Sequence, residues 1–450
     1  MGPGLSALLV FIALIVAWAV VLKRNITEAA ALSLVILPFF GGFDRAWSLM
    51  LGAVKYALNY EVLFASLAFV FMSFLLQNSN VLTGMLEIFT RLFGRLKGGP
   101  AYANTAISSV LGCFSGGNTP NAATAGAFTA NWLMRSGWKK EQAATLIAGN
   151  GGLGAGFPPS ASLFLVLGFP TVAGVVSEGG LYVALFAAGL YQVLWRVVYI
   201  HFIVRKNRIQ PMVQADAEPV GVVFRKYGIN LLLFMGAVIP VMLTMGPIPE
   251  HFSALSETWD DAMGALNLLV WLPVLMILII LLLDGKNVAR QFSGWEDFVK
   301  KLIPHVATIG GLLFFIFAAS NVISKLGLDK DVVALLDRMS LSPVITTTVI
   351  LVLLAVVAGP LSSTATLTSV GVVSHAILVG VGIDPLAAAV ALLVVASTEG
   401  ASPPASGALF VACGLTETDP PKIYMPLIMW FVIPITVIAG LIAAGLLPLP

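Results

Sequence analysis

Polar, helix-breaking residues interrupt the apolar sequence of this chain in two places, and the pattern repeats in its second half. The first half carries Ser115-Gly116-Gly117-Asn118-Thr119-Pro120-Asn121 and, further on, Gly156-Phe157-Pro158-Pro159-Ser160. The second half carries Gly359-Pro360-Leu361-Ser362-Ser363-Thr364, followed by Ala401-Ser402-Pro403-Pro404. The spacing from Ser/Thr cluster to Pro-Pro pair is nearly the same in both. Such sequence is tolerated at membrane depth only where protein or an aqueous cavity satisfies the freed backbone. Matched breaks in two halves point to a transporter's binding site. One such cluster alone would serve packing, as Gly, Ser and Thr commonly do between membrane helices.

The chemistry available is that of oxygens and backbone dipoles. A half-helix starting after residues 115–119 aims free N–H groups and a partial positive charge at the cavity, which suits a carboxylate. Asn118, Thr119, Asn121 and Pro159, with Ser363 and Thr364, are the candidate substrate-binding residues. Unwound carbonyls and hydroxyls are hard donors that suit Na⁺. Ser115, Gly116, Asn118, Asn150 and Gly152 form one candidate ion site, with Ser362, Thr364, Ser397 and Thr398 as its pseudo-equivalent. Glu399, beside the second unwound segment, is a coupling candidate. It takes part in ion or proton coupling, or else accepts hydrogen bonds from free N–H groups or faces an aqueous vestibule. His305 and His375 read as polar packing groups. Arg196, near one end of its span, reads as a snorkelling side chain.

The elements that position these residues are membrane helices. The chain is 58% hydrophobic and 10% charged, with a mean hydropathy of +0.97, against about 25% charged in soluble domains. A net charge of +2 spread over loops gives nucleic-acid binding no support. Cys113 and Cys413 both sit in apolar sequence, which argues against a disulfide framework or a thiolate metal site. No P-loop, His-Glu-x-x-His or Gly-x-Ser-x-Gly pattern is present, so an enzyme is not expected. The first apolar run lacks the basic flank and cleavage site of a signal peptide.

Spans are expected at 5–22, 26–42, 62–77, 181–203, 228–245, 267–283, 303–324 and 425–447. Residues 101–134 and 342–380 read as re-entrant hairpins; 141–168 and 385–412 read as spans unwound in the middle. Amphipathic arms at 81–97 and 326–340 precede the hairpins. Lys and Arg fall on one side of this span list, the acidic loop 246–266 on the other. The hairpins therefore have opposite flanks. The expected fold is an all-α polytopic membrane protein of two inverted-topology repeats, each with a re-entrant hairpin and a broken helix.

The run Leu92-Phe93-Gly94-Arg95-Leu96-Lys97-Gly98-Gly99-Pro100-Ala101-Tyr102-Ala103-Asn104 resembles the arm and Gly-Gly approach to the first hairpin in the large membrane subunit of tripartite ATP-independent periplasmic (TRAP) transporters. Ser115-Gly116-Gly117, Thr124–Thr129, Met134–Trp138 and Pro158-Pro159-Ser160 continue the resemblance in order, and Gly382–Pro385 with Ser402-Pro403-Pro404 look like its closing motif. The resemblance implies an elevator-type, Na⁺-driven transporter of small carboxylates in a bacterial inner membrane. It implies two partners, a small four-helix membrane subunit and a periplasmic substrate-binding protein. On that reading 1–80 and 227–325 are scaffold, and 81–180 and 326–412 form the transport domain. Residues 181–226 are then a helix and cytoplasmic linker, and 413–450 the last helix. The alternatives are a stand-alone Na⁺- or H⁺-coupled carboxylate permease and an ion channel. This chain departs from the family pattern at Gly117, where Ser is usual, and at Glu399, where an apolar residue is usual.

Overall fold

A computed structural model describes residues 2–115, 117–211, 218–244, 247–264, 267–328, 330–331, 342–359, 361–404 and 406–450. Helices dominate, and no strand occurs among these residues. A chain this apolar must satisfy its backbone internally, and the helix does so within each segment. In order, α1 is Pro3–Val16, α2 Ile26–Ile36, α3 Phe43–Asn59, α4 Glu61–Gln77 and α5 Asn80–Phe93. The first hairpin is α6 (Gly99–Ser115) and α7 (Asn118–Arg135), followed by α8 (Lys140–Gly151), α9 (Leu153–Gly156), α10 (Ala161–Leu167) and α11 (Glu178–Asn207). The second half has α12 (Val220–Thr244), α13 (Pro247–Ser253), α14 (Glu257–Gly264), α15 (Leu268–Arg290) and α16 (Trp295–Lys325). Its hairpin is α17 (Pro343–Val357) and α18 (Ser363–Gly380), then α19 (Pro385–Ala396), α20 (Gly407–Thr416) and α21 (Pro421–Ala443).

Local chemistry sets the starts. Pro occupies the first turn of α1, α17 and α19, where its missing N–H costs nothing. The Asp384 carboxylate caps α19 by accepting from Ala387 N at 2.9 Å. Ser160 and Ser406 cap α10 and α20 in the same way, just after the Pro-Pro pairs. Both Pro-Pro bonds, 158–159 and 403–404, are cis.

Six of the described helices are long and apolar enough to cross a membrane, or seven if α3 and α4, bent by 48°, count as one span. Both expected hairpins are broken where the polar clusters lie. In the first, Asn104 donates to Thr129 Oγ1 at 2.7 Å across the limbs. In the second, α17 packs beside α18. The arm 81–97 forms α5, while most of 326–340 lies outside the described residues.

Three expectations need correction. Residues 43–59, assigned to no span, form α3. Asp44, Arg45 and Lys55 depress their hydropathy, yet Ala46, Ala53 and Ala57 make a buried stripe at helical spacing. The stretch 246–266, read as a loop, contains α13 and α14, and α12 starts at Val220 rather than 228. The bend between α3 and α4 is pinned by Tyr60, whose Oη donates to Leu167 O at 2.7 Å and whose ring meets Phe317 edge-on.

The halves interlock. α20 packs on α7 and α8 of the first half, and α10 packs on α18 and α19 of the second. A large apolar core joins α4, α10, α11, α16 and α19; a smaller one joins α7, α8, α11, α20 and α21. Leu194, Leu282, Val344 and Met429 face outward, as lipid-facing side chains would.

Candidate substrate and ion site

The two broken helices cross backbone to backbone. A Cβ on Gly152 would stand 2.6 Å from Ser397 O, and one on Gly400 2.7 Å from Gly152 N. Only glycine permits that approach. A Cβ on Gly151 would stand 3.0 Å from Asn118 O, so the start of α7 lies over the crossing. A Cβ on Gly359 would stand 2.8 Å from Pro403 O, which brings the second Pro-Pro pair to the second hairpin's tip.

Asn118 is the hub. Its amide nitrogen donates to Ser363 Oγ at 3.0 Å and Glu399 Oε2 at 2.5 Å, with Ser397 O at 3.4 Å. Its Oδ1 accepts from Ala155 N at 3.0 Å. One amide thus ties together the first tip, the second tip and both broken helices. Ser363 Oγ lies 2.9 Å from Ala396 O and 3.4 Å from Glu399 Oε2, and its single proton serves one of them at a time. Glu399 is buried and takes part in no ion pair among the described residues.

The other expected residues divide. Thr119 packs against Gly407, at the start of α20. Ser362 and Thr364 sit on the rim of the second tip, their hydroxyls 3.3 Å apart, and Ser362 Oγ accepts from Ala365 N. Asn121 points away from the tip contact and donates to Ser108 O and Gly151 O, fastening the hairpin to α8. Asn150 donates to Asn104 Oδ1 and Thr105 Oγ1 on α6. The hydroxyls of Ser397 and Thr398 turn back onto Val394 O and Val395 O of their own helix. Gly152 enters only through its backbone, at the crossing. Pro159 lines a separate cavity of about 100 Å³ with Cys113, Phe164 and Ser66. Gly116 and the side chain of Ser115 lie outside the described residues.

Two residues of the site were not foreseen. Gln192 Oε1 lies 3.2 Å from Ser397 Oγ, whose single proton also faces Val394 O and serves one of them at a time. Arg196, expected to snorkel, is instead 2% exposed. It donates to Gly149 O at 2.8 Å and Gln192 O at 3.0 Å, with its guanidinium 5.6 Å from the Phe431 ring centre. The reason is the helix break. α8 ends at Gly151, and the small residues there let α11 press close enough for the Gly149 carbonyl to hold the guanidinium. The available signal was an Arg inside an apolar span, which marks function by default. Buried polar atoms without partners gather in this region: Asn121 Oδ1, Asn150 Oδ1, Gln192 Nε2, Arg196 Nε and Thr366 Oγ1.

Comparison with known proteins adds the family. No curated protein matches the chain. Among solved structures it is similar to the YdaH transporter of Alcanivorax borkumensis, described as having an unusual topology. The identity is 16% and the TM-score 0.60, over 90% of this chain and 89% of that one. That likeness is one of fold. The profile of the tripartite ATP-independent periplasmic transporter DctM component matches residues 5–447, and the chain belongs to this family of TRAP transporters.

Proposed function

We propose that this protein is the large permease subunit of a TRAP-type system that takes up a small organic anion of the carboxylate class, driven by Na⁺. The observation that carries this reading is the meeting of the two hairpin tips at Asn118 and Ser363. α7 begins at Asn118 and α18 at Ser363, so two helix N-termini converge there. Each presents about half a positive charge. Neither cluster contains Lys or Arg, so an anion is held by dipoles and by Thr119 and Thr364 as donors, with Asn118 fixing the tips that present them, and is released readily. Na⁺ would bind among the backbone oxygens of the crossing, Asn118 O, Gly151 O and Ser397 O, and offset the anion's charge. Segments 81–180 and 326–412 would move as one body against 1–80 and 227–325.

Membership of the family supports a small membrane subunit and a periplasmic binding component as partners, and the inner membrane of a bacterium as the location. The decisive experiment is uptake by proteoliposomes containing the complete system, offered a panel of small carboxylates, with and without an inward Na⁺ gradient. Accumulation that needs Na⁺ is expected. Equal uptake with choline in place of Na⁺, at constant pH, would refute sodium coupling.

A further inference from the structure

The broken helices α8 and α19 end alike but are closed differently. The last carbonyls of a helix have no partner within it. At the end of α19 neutral hydroxyls stand on them: Ser397 Oγ is 2.6 Å from Val394 O, Thr398 Oγ1 2.7 Å from Val395 O and Ser363 Oγ 2.9 Å from Ala396 O. At the end of α8 the Asn121 amide reaches Gly151 O at 3.3 Å, and Arg196 holds Gly149 O at 2.8 Å. The second half therefore shows that a neutral donor suffices for such a carbonyl. A buried guanidinium is far costlier to place, because its charge leaves water, and arginine stays charged at neutral pH. Arg196 is buried and forms no ion pair among the described residues. Its Nε has no partner among them, and its Nη1 donates to Gln192 O of its own helix. Hydrogen bonding alone does not account for the charge.

Gly152 fixes where that charge sits. A carbon added to Gly152 would stand 3.6 Å from Arg196 Nη2 and 2.6 Å from Ser397 O, so those two atoms are at most the two distances, about 6.2 Å, apart. Ser397 O is one of the three oxygens proposed to hold Na⁺, with Asn118 O and Gly151 O. The donor set fits that ion: all three are backbone carbonyl oxygens, each with two lone pairs. The side-chain amides that approach Gly151 O and Ser397 O do so at long range, 3.3 and 3.4 Å. A fixed positive charge this close, away from water, repels a second cation and is little screened by salt.

We propose that Arg196 sets the affinity of the coupling ion, repelling Na⁺ at the crossing so that it binds weakly enough to be released. This rests on the reading of Na⁺ at the crossing. Arg196 acts through space, without touching the ion. A carrier must let its ion leave as well as enter, and carbonyls closed by neutral donors alone would hold it more tightly. As a brace only, Arg196 would have the opposite effect: its loss would loosen the end of α8, spread the oxygens and weaken Na⁺ binding.

The test is calorimetric titration of NaCl into the purified full-length protein in detergent, with choline chloride holding ionic strength constant and no organic anion present. Arg196→Gln keeps an amide donor for Gly149 O and removes the charge, whereas Arg196→Lys keeps the charge. Glu399, which accepts from Asn118 at the crossing, is common to every variant. We expect Arg196→Gln to bind Na⁺ about tenfold more tightly than the wild type, and Arg196→Lys to bind it as the wild type does. Protection by NaCl against thermal unfolding should move to lower concentration in Arg196→Gln alone. Unchanged or weaker Na⁺ binding by a folded Arg196→Gln protein would overturn the proposal. Equal tightening in Arg196→Lys would overturn it too, since charge would not be the cause. Should Arg196→Gln not fold, Arg196→Met takes its place; failure of both neutral variants to fold would make the guanidinium a structural brace and overturn the proposal. Absence of Na⁺ binding to the wild type and to every variant would overturn the sodium reading and this proposal with it, whereas wild-type binding that the neutral variant leaves unchanged would overturn this proposal alone.

Discussion

At the scale of single residues, the site is organised by an amide rather than by a charge. Asn118 offers two N–H donors and one acceptor, and spends them on three other segments. Removing it should loosen the tips on which the substrate is proposed to rest. Asn118→Ala is expected to raise KM for the transported anion by about tenfold, since a hydrogen bond to a charged group is worth about 1.5–3 kcal/mol. Thr364→Ala, on the rim, should do so more weakly. Unchanged KM in both variants, measured in proteoliposomes, would place the substrate elsewhere. Arg196 makes a different prediction. Arg196→Leu leaves Gly149 O and Gln192 O without their guanidinium donors and should cost about 1–3 kcal/mol. A melting temperature in detergent equal to that of the wild type would show that those contacts contribute nothing.

At the scale of elements, the broken helices work because glycines let two backbones touch. Gly152→Ala should force its Cβ onto Ser397 O, a backbone atom that cannot swing aside. Overpacking of this kind costs about 1–3 kcal/mol, so the variant should melt earlier and transport more slowly. Gly414→Ala is the internal control. It lies in α20 with nothing within 4 Å of the added carbon, and should be neutral or slightly stabilising. If both variants behave alike, the crossing is not a tight contact. The charge pair Lys140–Glu417, at 2.8 Å, joins the outer ends of α8 and α20. Lys140 holds the Glu417 carboxyl below its ordinary range, so this contact is made at neutral pH and fades as pH falls through the lowered value. Both groups are exposed, and it contributes little.

At the scale of the whole molecule, the proposed motion has a border that can be probed. Phe69 on α4 and Phe164 on α10 face each other across it, with ring centres 5.2 Å apart. In a background lacking Cys113 and Cys413, cysteines at 69 and 164 joined by a bifunctional thiol reagent should arrest transport, and reduction of a cleavable linker should restore it. Full transport after complete cross-linking would rule out sliding of α10 past α4. The long helices α11 and α21 both pack on α19, so the second half's broken helix is held by the last helix of each repeat.

The sequence by itself determined the class of this protein, the places where its helices break and the repetition of those breaks. All three are local: apolar length sets a span, Gly and Pro end a helix, and Ser, Asn or Asp caps the next. It also singled out Asn118, Ser363 and Glu399, whose polarity is conspicuous in apolar surroundings. Only the tertiary structure decided that these three touch, that the Ser397 and Thr398 hydroxyls and the Asn121 and Asn150 amides are turned to other partners, and that Arg196 is buried against Gly149 rather than reaching for water. The helix α3 was hidden for a related reason, because its apolar stripe is alanine and its charges dominate the average. Side-chain direction at a helix break depends on which neighbour presents the nearest free carbonyl or amide. At this crossing those neighbours come from opposite halves of the chain, brought together only by packing.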